Sequence, residues 1–272
     1  MRESKQIFPQ PDPLSRDQIA SGLRTADFAR RMEIHRVIDS TSLRAREAAV
    51  AGAPHGYLVA AEEQTAGRGR MGRRFLSPPG SGIYLSYVLR PDVSPGQATL
   101  ITSLAAVAVA RAVERMAPVQ IRIKWVNDLY LNDKKCCGIL SEAGFDPGSD
   151  RLSYVILGIG VNVKPMDFPP ELRDIATSLG NETCLDLSRN QLIAEISSEL
   201  EALYGDLATG AFLSESRQRS NVIGRRILVI DGEKRYPAQA LDIDNEGRLI
   251  VRTDDGILLP LGCGEVSLKL QA

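Results

Sequence analysis

Histidine is almost missing from this 272-residue chain, with His35 and His55 its two copies. A His-based catalytic triad or a zinc site therefore has few members to draw on. Net charge is equally scarce. The formal value is −1, from 33 basic and 34 acidic residues, so no overall field gathers nucleic acid or anionic membrane and any basic site is local. The four cysteines stand at 136, 137, 184 and 263. Neighbouring Cys136 and Cys137 would point to opposite faces of a strand, unsuited to sharing a metal, and all four read as buried small hydrophobes in a reducing compartment. Long apolar runs are lacking too: the stretch Leu104 to Val113 is broken by Arg111 and reads as too short to cross a bilayer. The opening MRESKQIFPQPDPL has neither the apolar core nor the cleavage site of a secretory signal. The expectation is a soluble, cytoplasmic protein with no membrane partner.

What is present is an ordinary globular composition, 43% hydrophobic and 25% charged, on a chain long enough for one large domain and a small one. Ser15 precedes a helical pattern through residues 14 to 31, anchored by Ile19, Leu23 and Phe28. A winged helix-turn-helix takes about sixty residues, more than the segment before Ile34 supplies. MEIHRVID, GYLVAAEEQ, GIYLSYVLRP and YVILGIGVNV read as strands. SLRAREAAVAG, QATLITSLAAVAVARAVERM and the stretch 188 to 218 read as helices. VQIRIKW alternates, with Val119, Ile121, Ile123 and Trp125 on one face, as in a half-buried strand of an antiparallel or mixed sheet. LYLNDKKCCGILSEA follows as a hairpin turning at Asn132 and Asp133. Beyond Asn221, short strands alternate with turns, which predicts a compact five-stranded unit similar to SH3-like barrels. The expected fold class is α+β: a mixed, largely antiparallel sheet with packed helices, plus the small barrel. The expected division is a lead-in at 1–33, a large domain at 34–220 and the barrel at 221–272.

The most distinctive run is GRGRMGRR, Gly67 to Arg74. Gly67 to Gly72 fits G-x-G-x-x-G, but a dinucleotide loop opens directly into an apolar helix, and here Arg73, Arg74, Phe75, Leu76, Ser77 and two prolines follow. The arginines say more. Guanidinium forks match carboxylates and phosphates, and the glycines let backbone N–H groups approach such a ligand, so Arg68, Arg70, Arg73 and Arg74 between two strands predict a binding loop for a small anion. Lys124, Asp128 and Lys135 follow on neighbouring strands. Lysines neutralise a phosphate or carboxylate, and Asp128 suits a magnesium ion or a ligand N–H. Asp128 also reads as a turn residue beside Asn127, and Lys134 and Lys135 as a solvated hairpin. Gly158 and Gly160 mark either a bulge or the close approach of a ligand. Asn162 reads a purine edge or caps a turn.

Six segments in order resemble the biotin protein ligase family, the enzymes that attach biotin to carrier domains of biotin-dependent carboxylases. They are IDSTS at 38–42, QTAGRGRMGRRF at 64–75, SPPGSGIYLS at 77–86, KWVNDLYLNDKKCCGIL at 124–140, LGIGVNV at 157–163 and GCGEVSL at 262–268. The resemblance implies a biotin/lipoate ligase-like catalytic domain and a two-step reaction. Biotin and MgATP give biotinoyl-adenylate and pyrophosphate; a carrier lysine then attacks the mixed anhydride and releases AMP, with no covalent enzyme intermediate. Carried onto this chain, it implies that Ser40, Thr41, Ser42 and Gln64 contact biotin, in a pocket that Gly69 and Gly138 help to line. Arg68 to Arg70 would close over biotin and phosphate, and Lys135 would neutralise charge where the carboxylate meets the α-phosphate, making Arg68, Arg70 and Lys135 the catalytic set. Arg70, Arg73, Phe75, Asp128 and Asn162 fall to ATP, with Phe75 stacking on adenine, Asn162 touching the base and Asp128 orienting the pocket. Joining two anions demands charge neutralisation and alignment more than acid–base catalysis, so the scarcity of histidine is no obstacle.

Three positions depart from the family pattern. Phe75 stands where tryptophan is common, which weakens stacking. Val126 replaces the proline of KWPND, loosening a backbone constraint. Ser42 replaces the asparagine that often follows the DST triplet. ATP and Mg2+ are the expected cofactors, with no metal ligands assigned. The expected partners are biotin, a biotin carboxyl carrier protein and, through an exposed sheet edge, a second copy in a homodimer. No DNA partner is expected, because the lead-in does not match the DNA-binding domain of the repressor members. A lipoate or octanoate ligase or transferase of the same fold is the competing reading, and a non-catalytic biotin sensor the next.

Overall fold

Ser15 accepts a hydrogen bond from the Gln18 amide and so starts α1 (Arg16–Gly22), as the sequence predicts. This computed structural model describes residues 12–94, 96–146, 148–149, 151–262 and 264–268. The helix ends earlier than its apolar pattern suggests: Leu23 is extended, and Phe28 lies in the turns beyond it, fully buried. There follow β1 (Met32–His35), α2 (Thr41–Val50), β2 (Tyr57–Ala61), β3 (Gly82–Leu89), α3 (Leu100–Met116), β4 (Arg122–Lys124), β5 (Asp128–Leu131), β6 (Lys134–Phe145) and β7 (Leu152–Asn162). After them come α4 (Leu179–Thr183), α5 (Arg189–Tyr204) and α6 (Leu213–Arg219). The Trp125–Val126 peptide bond is cis.

The seven strands form one sheet in the order β1-β2-β3-β7-β6-β5-β4, parallel at β1–β2 and antiparallel elsewhere. The class is α+β. Asn132 and Asp133, with φ of 48° and 63°, make the tight β5–β6 turn that matches strand twist. Ile121, Ile123 and Trp125 are buried as their alternation predicts, but only Arg122–Lys124 of this segment pair with β5.

Against one face of the sheet lies α3, with α5 beside it. Its alanines at 105, 106, 108, 110 and 112 are fully buried, small enough for close approach. Preceded by a single 3-10 turn, this helix extends the apolar run to Gln97–Met116, 20 residues, which by length and composition is enough to cross a membrane. The shorter stretch read from the sequence is corrected accordingly. The helix is 72% buried within the fold over its most apolar window, so it is placed as a core helix. The other face is covered in part by α2, through Ala45, Ala49, Val59, Val88 and Ile156.

The C-terminal unit comprises β8 (Arg226–Asp231), β9 (Lys234–Ile243), β10 (Leu249–Thr253), β11 (Leu258–Leu261) and β12 (Glu265–Ser267). Its antiparallel order is β11-β10-β9-β8-β12. The expected barrel is not closed: among the described residues β11 and β12 are the edges of the sheet, with no ladder between them. Its inner side chains, among them Ile227, Val229, Ala240 and Val251, join the same core cluster as the large sheet. The Trp125 indole also donates to the Gly247 carbonyl oxygen at 3.0 Å. Cys136 and Cys137 are buried as expected, whereas Cys184 caps α4 in a left-handed turn and is exposed. Cys263 lies outside the described residues.

Candidate active site

Directly opposed residues of an antiparallel pair share a face. Val88 is opposite Ile156, Ser86 opposite Gly158, and Gly138 opposite Gly160, so beyond the area covered by α2 the same face becomes hydroxyl- and glycine-lined. The connection from β2 to β3 folds across it. The two glycines of β7 mark close approach, not a bulge, since the ladders beside them run in regular register. A Cβ on Gly160 would stand 2.6 Å from the Phe75 ring, one on Gly138 3.3 Å from it, and one on Gly158 2.9 Å from the Ser42 hydroxyl. Phe75 therefore rests on bare backbone. The cavity left beneath the loop measures about 50 Å³, room for a water or two and far less than a bicyclic ligand.

One end of this cavity is polar and neutral. Gln64 Oε1 accepts from the Thr41 amide (2.9 Å) and hydroxyl (3.1 Å), while its Nε2 donates to Ser77 Oγ (2.9 Å). With its proton given to Gln64, Thr41 Oγ1 is left to accept from Ser86 Oγ (2.9 Å), which in turn lies 3.2 Å from Ser42 Oγ. A relay of one direction thus runs from Ser42 through Ser86 and Thr41 to Gln64. Ser40 is fully buried at the N-cap of α2, yet its hydroxyl has no hydrogen-bond partner among the described residues.

The other end is cationic. Lys135 Nζ lies 2.7 Å from Asp128 Oδ1, and the lysine backbone is pinned by Ile175 O and Thr177 N, both at 2.9 Å. Arg68 forms a two-pronged pair with Glu142, both contacts at 3.0 Å, and Arg46 shares that carboxylate. Arg70 donates to Asn127 Oδ1 (3.0 Å) and to the Gly264 carbonyl oxygen (2.8 Å). Those acceptors are neutral, so the Arg70 charge is the least compensated of the three and the most available to an anion.

Thr41, Ser42, Gln64, Arg68, Gly69, Arg70, Phe75, Lys135 and Gly138 line this one cavity. Asp128 stands behind it as the partner of Lys135, and Ser40 is buried behind Thr41. Two residues assigned to ATP point elsewhere. Asn162 shares the face of Gly158 and Gly160, but its amide donates to the Thr177 carbonyl oxygen at 3.0 Å. Arg73 forks onto Glu265 of β12, and that hydrogen-bonded pair, acting against burial, holds the Glu265 carboxyl below its usual range. Lys124 sits over the Tyr130 ring, 5.9 Å from its centre, and burial lowers its pKa. The sequence reading missed Ser77, Ser86, Glu142 and the bridging role of Asn127, whose Nδ2 also donates to Asp128 Oδ1. Ser86 had a readable signal, the one small hydroxyl residue in an otherwise apolar and aromatic strand. Glu142 had none.

A cavity with neutral dipoles at one end and cations at the other suits an acid with a polar head. Residues 34–162 match the Biotin/lipoate A/B protein ligase family, and residues 222–269 match the Biotin protein ligase C terminal domain. The bifunctional ligase/repressor BirA of Bacillus subtilis is 40% identical over 94% of this chain and 80% of its own length. The biotin–[acetyl-CoA-carboxylase] ligase of Mycobacterium tuberculosis is 35% identical over 71% of this chain and 72% of its own. The structure of biotin protein ligase from Aquifex aeolicus in complex with biotin and ATP superposes with a TM-score of 0.74, at 26% identity, covering 88% of this chain and 98% of that one. The chain belongs to the biotin protein ligase family.

Proposed function

We infer that this chain is an ATP-dependent biotin protein ligase that forms a C–N bond. It activates biotin as biotinoyl-5'-AMP and passes the biotinoyl group to a lysine of a biotin carboxyl carrier protein. The observation that carries this reading is the single cavity joining the Thr41–Ser42–Gln64 relay to Arg68, Arg70 and Lys135 across a glycine floor. The relay offers the donors and acceptors that a ureido head needs; the cations neutralise the two anions that must meet.

In the first step a biotin carboxylate oxygen attacks the α-phosphorus of ATP, and pyrophosphate leaves. Lys135 and Arg70 lower the repulsion between carboxylate and phosphate, which is greatest as the two close. In the second step the carrier amine attacks the acyl carbon, the amide forms, and AMP leaves with the bonding pair. Phe75 lies where it must lift to admit ligand, and on closing it shields the anhydride from water. Magnesium suits this site as an ion carried on the nucleotide phosphates, which with water and one or two carboxylates commonly complete its oxygen shell. Asp128 is the carboxylate at hand to reach it.

Biotin is favoured over lipoate by the match of residues 222–269 to the biotin ligase C-terminal domain. Biotin-dependent exchange of pyrophosphate into ATP is the decisive assay. Exchange with biotin and none with lipoate or octanoate is expected; tight lipoate binding without a biotin response overturns the reading.

A further inference from the structure

Arg189 opens α5 with 2% of its surface exposed, outside the cavity lining. Its Nη1 donates to Glu62 Oε2 at 2.7 Å and to the Gly82 carbonyl oxygen at 3.2 Å. Glu62 is the first residue after β2, and Gly82 is the first residue of β3. One guanidinium group therefore grips both roots of the connection that carries Gln64, Arg68, Arg70 and Phe75.

The lead-in closes the other side of this group. Arg189 Nη2 donates to the Asp12 carbonyl oxygen, and the Arg189 amide donates to Asp12 Oδ2 at 2.6 Å. The second carboxylate oxygen of Asp12 accepts from Asn190 Nδ2 at 3.0 Å. Lys164, 5% exposed, brings its ammonium 3.4 Å from Asp12, while its amide donates to Ser81 O at 2.7 Å, bracing the β3 root again. Glu62 uses its remaining oxygen to accept from the Leu14 amide.

We infer that Arg189 is a positioning residue for the ligand loop, and that Asp12 of the lead-in holds it in its gripping geometry. The connection between two sheet strands has as much freedom as its ends allow. Chemistry that works by alignment is sensitive to shifts of about 1 Å, so fixing the roots fixes where the loop arginines arrive. The Asp12 carboxylate also supplies a counter-charge 3.7 Å from Arg189 Nε, and Asp12→Asn removes that charge while leaving the main-chain carbonyl contact; a buried cation that loses a counter-charge is strongly disfavoured where it stands, which is how a change at Asp12 reaches the loop. The kinetic part of this inference rests on the ligase reading; the loop-cleavage part does not.

The test uses the full chain with Asp12→Asn, compared with Glu201→Gln. Glu201 accepts the amides of Ala26, Asp27 and Phe28, so it ties the same lead-in to α5 without touching Arg189 or the loop roots. Tryptic cleavage mapped to Arg68–Arg74 and the KM for biotin in pyrophosphate exchange are measured at a matched fall in Tm. Asp12→Asn is expected to speed cleavage in the loop and raise the biotin KM roughly tenfold or more. Glu201→Gln is expected to do neither, and Asp12→Glu to restore part of the loss. Equal loop cleavage in Asp12→Asn and Glu201→Gln overturns the inference. Should Asp12→Asn fail to fold, Glu62→Gln is read in the same way. Absence of exchange in the unaltered protein defeats the ligase reading, and cleavage alone then decides the clamp.

Discussion

Gly160→Ala adds a single methyl group to the floor of the site, and the structure sets its consequence. The new carbon would stand 2.6, 2.8 and 3.0 Å from three atoms of the Phe75 ring, against an ordinary carbon–carbon separation of roughly 3.5–4.0 Å. The ring must rise by about 1 Å. Overpacking of this size costs about 1–3 kcal/mol in a closed core. Phe75 is half-buried on a loop, so the ring yields before the fold does, and the cost falls on the ligand site more than on Tm. A misplacement of about 1 Å is worth up to about 100-fold in rate, so kcat/KM for biotin in pyrophosphate exchange should fall about 10- to 100-fold. At Gly138 the nearest atoms are the Cε and Nζ of Lys135 at 3.2 Å, the movable end of a flexible chain, and Gly138→Ala should cost less. The double variant Gly160→Ala with Phe75→Ala removes the colliding ring, so the added effect of the methyl should vanish in that background. A Gly160→Ala penalty of the same size with and without Phe75 would refute the reasoning.

Lys135→Ala should abolish measurable adenylate formation while weakening biotin binding far less, because the lysine acts where two anions meet; unchanged exchange removes it from the reaction. Glu142→Gln frees Arg68 and should speed tryptic cleavage at that arginine in the absence of ligand, with biotin plus ATP restoring protection. The Arg73–Glu265 pair ties the loop to the small sheet, and the Glu265 carboxyl is held below its usual 4.5. A depressed carboxyl stabilises the fold above its unfolded value and loses that contribution as pH falls through its folded one. The Tm difference between the unaltered protein and Glu265→Gln should therefore be full above pH 4.5 and close as the pH drops further. Among the described cysteines, Cys184 should react first with a thiol reagent at neutral pH, since burial raises Cys136 to about 12 and Cys137 well above its ordinary value. Rapid labelling of Cys136 in the folded protein would contradict their placement.

Much of this protein was legible in local pattern. Alternation at Ile121, Ile123 and Trp125, the Asn132–Asp133 turn and the glycines of β7 each follow from rules that act over a few residues. The alternating glycines and arginines between two strands pointed to a loop for an anion, although the same arginines also suit carboxylates of the protein itself, as Arg68 with Glu142 and Arg73 with Glu265. Features set by packing were less legible: α1 stopped short because its last anchor, Phe28, packs from a turn, and whether the C-terminal sheet closes depends on pairing between its edge strands, which local pattern does not set. Partnerships across the fold were not legible at all. Glu142 meets Arg68, Glu265 meets Arg73, Asn162 turns to Thr177, and Arg189 joins Asp12 to both roots of the loop. The sequence by itself determined which residue types carry the chemistry and that they lie on neighbouring strands. Tertiary structure alone decided which of them converge, because convergence depends on strand register and crossover, which join residues far apart along the chain.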